Sequence, residues 1–169
     1  MFTLRFDKSE IGHWSSLYDY PGDAEVESVA SKNRQQGHLT RQEFLTLCKW
    51  KTPRSQPKCA LNSEALIRDT TSIALSSAHE ELRIGALLVL DGVSWPTASV
   101  ILHFWHKDPY PILDFRALWS LGLDKQSAYY SFDLWWKYTE YCRNLACATG
   151  VSMRTLDRAL WQYSSENQR

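Results

Sequence analysis

A chain of 169 residues, 44% apolar and with a formal net charge of zero, is long enough for one cored domain and lacks the charge excess of a disordered tail. No apolar run approaches the roughly 20 residues of a membrane span, and Met1 to Phe6 is too short and polar for an export signal, so a cytoplasmic protein without membrane contact is expected. Cys48, Cys59, Cys142 and Cys147 are scattered, without a C-x-x-C pair, which fits free thiols. His79, His103 and His106 complete no zinc pattern with them, so no metal and no cofactor is expected.

Neutrality hides an asymmetry. Residues 1–31 carry Arg5 and Lys8 against six acidic residues, whereas residues 32–58 carry seven basic ones against Glu43 alone. The basic stretch is either a nucleic-acid face or an ordinary solvated surface.

The periodicity is helical nearly throughout, with no alternating run that would form a strand. Residues 1–37 are expected to be an N-terminal extension packed on the domain. Thr40, with Glu43 three residues on, forms a capping box for a helix to about Trp50, its apolar face made by Phe44, Leu45, Leu47 and Cys48. Pro53 stops that helix, leaving Lys51 to Lys58 as an exposed basic loop. Asn62 or Ser63 starts a helix to about Ser77, with Leu66, Ile67, Ile73 and Ala74 inward.

A helix from about His79 to Leu90 stops at Asp91-Gly92, and Pro96 opens the next, to Trp105. Backbone N–H groups of the intervening turn, from Gly92 to Trp95, lack helical partners and can bind a phosphate. A short helix from Asp114 to Leu121 ends at Gly122. Helices from Phe132 to about Ala148 and from Ser152 to about Tyr163 follow, and residues 164–169 are expected to fray. The fold class is therefore all-α, a single-domain helical bundle of residues 1–169.

Asp114 has two readings: an N-cap for the Phe115 helix, or a carboxylate that stabilises developing positive charge. Both can hold, since capping fixes a carboxylate in place. Trp135 and Trp136 are adjacent and must face different directions, so one can line a cleft while the other packs the core.

Leu90-Asp91-Gly92-Val93-Ser94-Trp95-Pro96-Thr97-Ala98 resembles the hairpin of the helix-hairpin-helix DNA glycosylases, commonly L-P-G-V-G-x-x-T-A. Tyr110-Pro111-Ile112-Leu113-Asp114 is similar to the segment that carries that superfamily's catalytic aspartate, most of all in the adenine-mismatch branch. The resemblance spans roughly residues 82 to 122 and extends more weakly over Arg41 to Trp50. It implies a compact member of the superfamily containing a helix-hairpin-helix motif, with Asp114 catalytic.

The same resemblance makes Gly92, Val93, Ser94, Trp95 and Thr97 the phosphate-binding residues. It assigns Trp50, Lys51, Arg54 and Gln56 to the opened strand, while Trp135 and Trp136, whose aromatic faces suit stacking on an extruded base, are candidates for the base pocket. Pro96 stands where bifunctional members carry a Schiff-base lysine, which implies a monofunctional glycosylase without lyase activity. Only Cys142 and Cys147 lie near the C-terminus, too few for the superfamily's iron–sulfur cluster. The implied partner is double-stranded DNA with a flipped base, met by a monomer. The implied substrate is a damaged or modified base, including bulky phage-type bases, in repair or antiviral defence. Asp91 and Ser94 depart from the usual hairpin proline and second glycine. A non-catalytic helix-hairpin-helix DNA-binding protein is the alternative, and a non-DNA interaction protein a third.

Overall fold

The computed structural model describes residues 2–124 and 129–168 and is all-helical, with no strand among the described residues. No helix is long and apolar enough to cross a membrane. The chain groups into two compact units, one built from residues 1–19 and 109–169 and the other from residues 20–108.

The first unit contains α1 (Ile11–Ser16), α8 (Phe115–Ser120), α9 (Phe132–Thr149) and α10 (Met153–Asn167). α10 packs along α1 and α8. Its start is set by Ser152, whose hydroxyl accepts from Thr155 N at 3.0 Å, and α9 ends at Gly150 with φ 68°. The N-terminal segment is tied to the end of α8 by Thr3 N to Leu121 O and Arg5 N to Ser120 O, both 2.9 Å. Trp135 is fully buried and stacks on Tyr110 at 5.8 Å between centroids. The expected fraying from residue 164 is not observed. α10 runs on to Asn167 because Ser164 is buried and Gln162 reaches Glu166 at 2.7 Å. Arg169 lies outside the described residues.

The second unit contains α2 (Asp23–Asn33), α3 (Arg41–Lys51), α4 (Gln56–Cys59), α5 (Glu64–Ser76), α6 (Glu80–Leu88) and α7 (Trp95–Trp105). The α3 capping box forms as expected, with Glu43 Oε2 accepting from Thr40 N at 2.7 Å and Thr40 Oγ1 at 2.9 Å. α5 and α6 pack as a helical hairpin. Leu66 and Ile73, expected inward, are exposed; the buried stripe of α5 is Ile67, Thr70, Thr71 and Ala74. Those threonines can be buried because their hydroxyls donate to helical carbonyls, Thr70 to Leu66 O and Thr71 to Ile67 O.

The expected basic loop is instead mostly helical. Residues Pro53–Ser55 make a 3-10 turn and α4 follows directly, with a proline in the first turn of each. Proline's fixed φ suits a first helical turn, so the residues that stop α3 also start the next turns.

Arg83 and His106 form a buried polar node. Arg83 Nη1 donates to Ala74 O and lies against His106 Nε2, both at 2.6 Å, Arg83 Nη2 donates to Ser77 O, and His106 Nδ1 accepts from Asp108 N at 2.9 Å. Burial first, then the Arg83 charge, hold the His106 pKa below its ordinary 6.5, only partly offset by Asp108 and Glu80. The unfolded chain therefore binds that proton more tightly. Stability is full above about pH 6.5 and is lost as pH falls through the depressed folded value. Urea unfolding at pH 7.5 and 5.5 should show a larger acid loss in the wild type than in His106→Gln. Equal losses would contradict this.

Candidate nucleic-acid interface and carboxylate

The turn between α6 and α7 is held from below by Asn62, which is 4% exposed. Its Nδ2 donates to Asp91 O and Cys59 O, and its Oδ1 accepts from Asp91 N, all at 2.9 Å. Val93 N closes the turn on Leu90 O at 3.1 Å. Gly92 has φ 77°, and a Cβ there would lie 2.7 Å from Cys59 Sγ, 2.8 Å from Cys59 N and 3.0 Å from Lys58 Cβ. Glycine is thus required twice: for the left-handed backbone, and for the close approach of α4.

That packing brings Lys58 beside the turn, a proximity the sequence did not announce. Among the described residues, the backbone N–H groups of Gly92, Ser94 and Trp95 have no protein hydrogen-bond partner. Val93 N is used by the turn itself. Ser94 is exposed, and Gly92, Val93 and Trp95 are half-buried. Thr97 is fully buried with its hydroxyl 3.5 Å from that of Thr52, which removes its side chain from direct contact with a ligand at the surface.

The basic residues of 32–58 are not equivalent, and Lys32 is exposed on α2. Arg34 and Arg41 are structural: Arg34 Nε donates to Phe104 O at 2.9 Å, and Arg41 Nη2 donates to Ala60 O at 2.8 Å. Lys49, Arg54 and Lys58 are exposed and make no ion pair among the described residues. Lys51 is half-buried. Gln56 lines a depression of about 490 Å³ with Arg41, Lys49 and Glu64. Trp50 packs edge-to-face on Tyr20 at 5.4 Å and on Phe104 at 5.7 Å, so it is anchored in its own unit.

In the other unit, Asp114 is half-buried at the N-cap of α8, its Oδ1 accepting from Arg116 N at 2.9 Å. The segment leading to it is fixed by Tyr138, fully buried, whose hydroxyl donates to Ile112 O at 2.9 Å. Tyr130, which belongs to no motif of the sequence, lies within electrostatic reach of Asp114. Burial first, and the Asp114 carboxylate second, push its phenol above the ordinary tyrosine range. No periodic signal marks that proximity, because Tyr130 precedes α9 in an irregular segment.

Trp135 is fully buried against Tyr110, which takes it out of any base pocket. Trp136 is half-buried, with the Arg143 guanidinium 5.6 Å from its ring and 4.4 Å from that of Tyr110. Glu43, the one acidic residue of the basic stretch 32–58, is buried and committed to its capping box. All four cysteines are free thiols. Burial raises those of Cys48, Cys59 and Cys142. No cluster of His, Cys, Asp or Glu that could hold a metal occurs among the described residues.

No protein-family model, no curated protein and no solved structure matches this chain.

Proposed function

We propose that this chain is a monofunctional DNA glycosylase that hydrolyses the N-glycosidic bond of a damaged or modified base and leaves an abasic site. The observation that carries the reading is the turn at Gly92: three backbone N–H groups without protein partners, held rigid by Asn62, with the Lys58 ammonium-bearing chain alongside. A cluster of N–H donors with a lysine side chain rooted beside it is suited to a phosphodiester oxygen, and such contacts fix the strand without reading sequence.

Asp114 supplies the chemistry in this reading. As the C1′–N bond stretches, positive charge develops on the deoxyribose, and a fixed carboxylate stabilises it electrostatically. Water then adds to C1′ and loses a proton, while the departing base takes one up. Capping by Arg116 N, which donates to Oδ1 at 2.9 Å, holds the carboxylate in a fixed place. A DNA-binding protein without catalysis is the second reading, favoured by the fact that the cap alone gives Asp114 a structural role.

The test of the DNA face is salt dependence. Arg54→Ala with Lys58→Ala should flatten the slope of log affinity against log salt by about 1.8, two phosphate contacts at roughly 0.9 each. Folding stability should change little, since exposed charges contribute little. An unchanged slope would take this face out of contact with DNA.

A further inference from the structure

The unit of residues 20–108 holds a cleft of about 520 Å³, lined in part by Trp50 and by none of the residues of the Gly92 turn. Its size falls within the range of small-molecule sites, and its walls have their composition. Trp50, Tyr20, Pro21 and Pro53 give flat apolar surfaces, and Val26 adds to them. Gly22, at φ 79°, closes against the indole: a Cβ there would sit 3.3 Å from Trp50 Cδ1.

Polar groups line the same cleft. Glu25, Thr46 and Lys49 are at its walls, and none of their side chains has a hydrogen-bond or ion-pair partner among the described residues. A carboxylate acceptor, an ammonium donor and a flat apolar wall together suit a planar heterocycle that carries donor and acceptor atoms side by side. One edge must donate to the carboxylate, and a neighbouring atom must accept from the ammonium.

Among nucleobases, guanine meets this requirement most fully: N1–H and the N2 amino group donate side by side, one to each carboxylate oxygen, next to the O6 acceptor. Adenine presents an amino donor beside a ring nitrogen acceptor and offers a carboxylate only one strong hydrogen bond. We infer that the cleft bounded by Tyr20, Glu25, Lys49 and Trp50 is a guanine-binding site, with Glu25 on the N1/N2 edge, Lys49 on O6 and the Trp50 ring as an apolar wall. Recognition of an unpaired base by its Watson–Crick edge between apolar walls is a general mode, and it applies to a free guanosine or to an unpaired guanine in a strand.

The experiment measures binding of guanosine and adenosine by calorimetry, and of thymine-tract oligonucleotides carrying one central guanine or adenine by fluorescence anisotropy. Each ligand is tested with the wild type and with Glu25→Gln. Glu25 is exposed and makes no bond that the fold needs, so the variant should melt as the wild type does. The expected result is a preference for guanine of at least tenfold in one arm or both, reduced at least tenfold by Glu25→Gln. Preference confined to the oligonucleotide identifies a strand as the source, and preference for free guanosine identifies a small molecule. Backbone contacts at the Gly92 turn cannot generate such a preference, and base excision does not enter the readout, so failure here and failure of the glycosylase reading are separate results. No guanine preference in either arm, or one that survives Glu25→Gln, overturns the inference.

Discussion

Asp114→Asn is expected to lower base excision by about 100-fold or more, the scale on which removing a preorganised electrostatic group slows a reaction. The same substitution should shift folding stability by no more than about 0.5 kcal/mol, because Asn caps a helix about as well as Asp. The geometry gives the reason: the cap needs one oxygen to accept from Arg116 N at 2.9 Å, and an amide oxygen can do that. Catalysis needs the negative charge, which the amide lacks. Excision rates and urea midpoints measured on one preparation separate the two roles. Full activity in the Asn variant would leave Asp114 as a cap only.

The largest effect on stability should come from Gly92→Ala. A left-handed φ of 77° costs an L-residue about 1–2 kcal/mol. The new methyl would also meet Cys59 Sγ at 2.7 Å and Cys59 N at 2.8 Å, and overpacking of that kind costs about 1–3 kcal/mol. A total of about 2–5 kcal/mol follows if the two add. Gly37→Ala is the control, since Gly37 has φ 70° but nothing within 4 Å of its would-be Cβ; it should lose only the backbone part. Equal losses in the two variants, by urea unfolding, would mean that α4 does not press on the turn. A bulky or charged replacement of Gly92 consequently reports on folding before it reports on phosphate. Lys58 and Arg54 are the cleaner probes of the DNA face.

Local signals made much of the helical framework legible. Thr40 with Glu43, Ser63, Asp114 and Ser152 start their helices as capping chemistry demands, and Gly150 ends α9 with a positive φ. α2 was not legible because its buried side is only Val26 and Ala30 with Asp23, too few apolar positions to announce a periodic face. Charge counting overstated the available cations: Arg34 and Arg41 hold carbonyls of their own unit. The candidate phosphate turn was legible as a turn, but its support was not. Asn62 and Lys58 reach Gly92 and Asp91 only through tertiary packing of α4, which no local pattern encodes. Likewise, adjacency made Trp135 and Trp136 diverge, but only packing on Tyr110 decided that Trp135 is the buried one.

The most direct test of the glycosylase account is release of free base from DNA. Wild-type protein and Asp114→Asn are incubated with genomic DNA carrying chemically varied and phage-type modified bases. Released bases are identified by mass spectrometry, and abasic sites are counted on the same samples. The account predicts that the wild type releases one class of base in equal number to new abasic sites, without strand cleavage, and that Asp114→Asn releases none above background. Release of no base from any of these DNAs, with the salt-dependent binding intact, would contradict the account and identify a DNA-binding protein without catalysis.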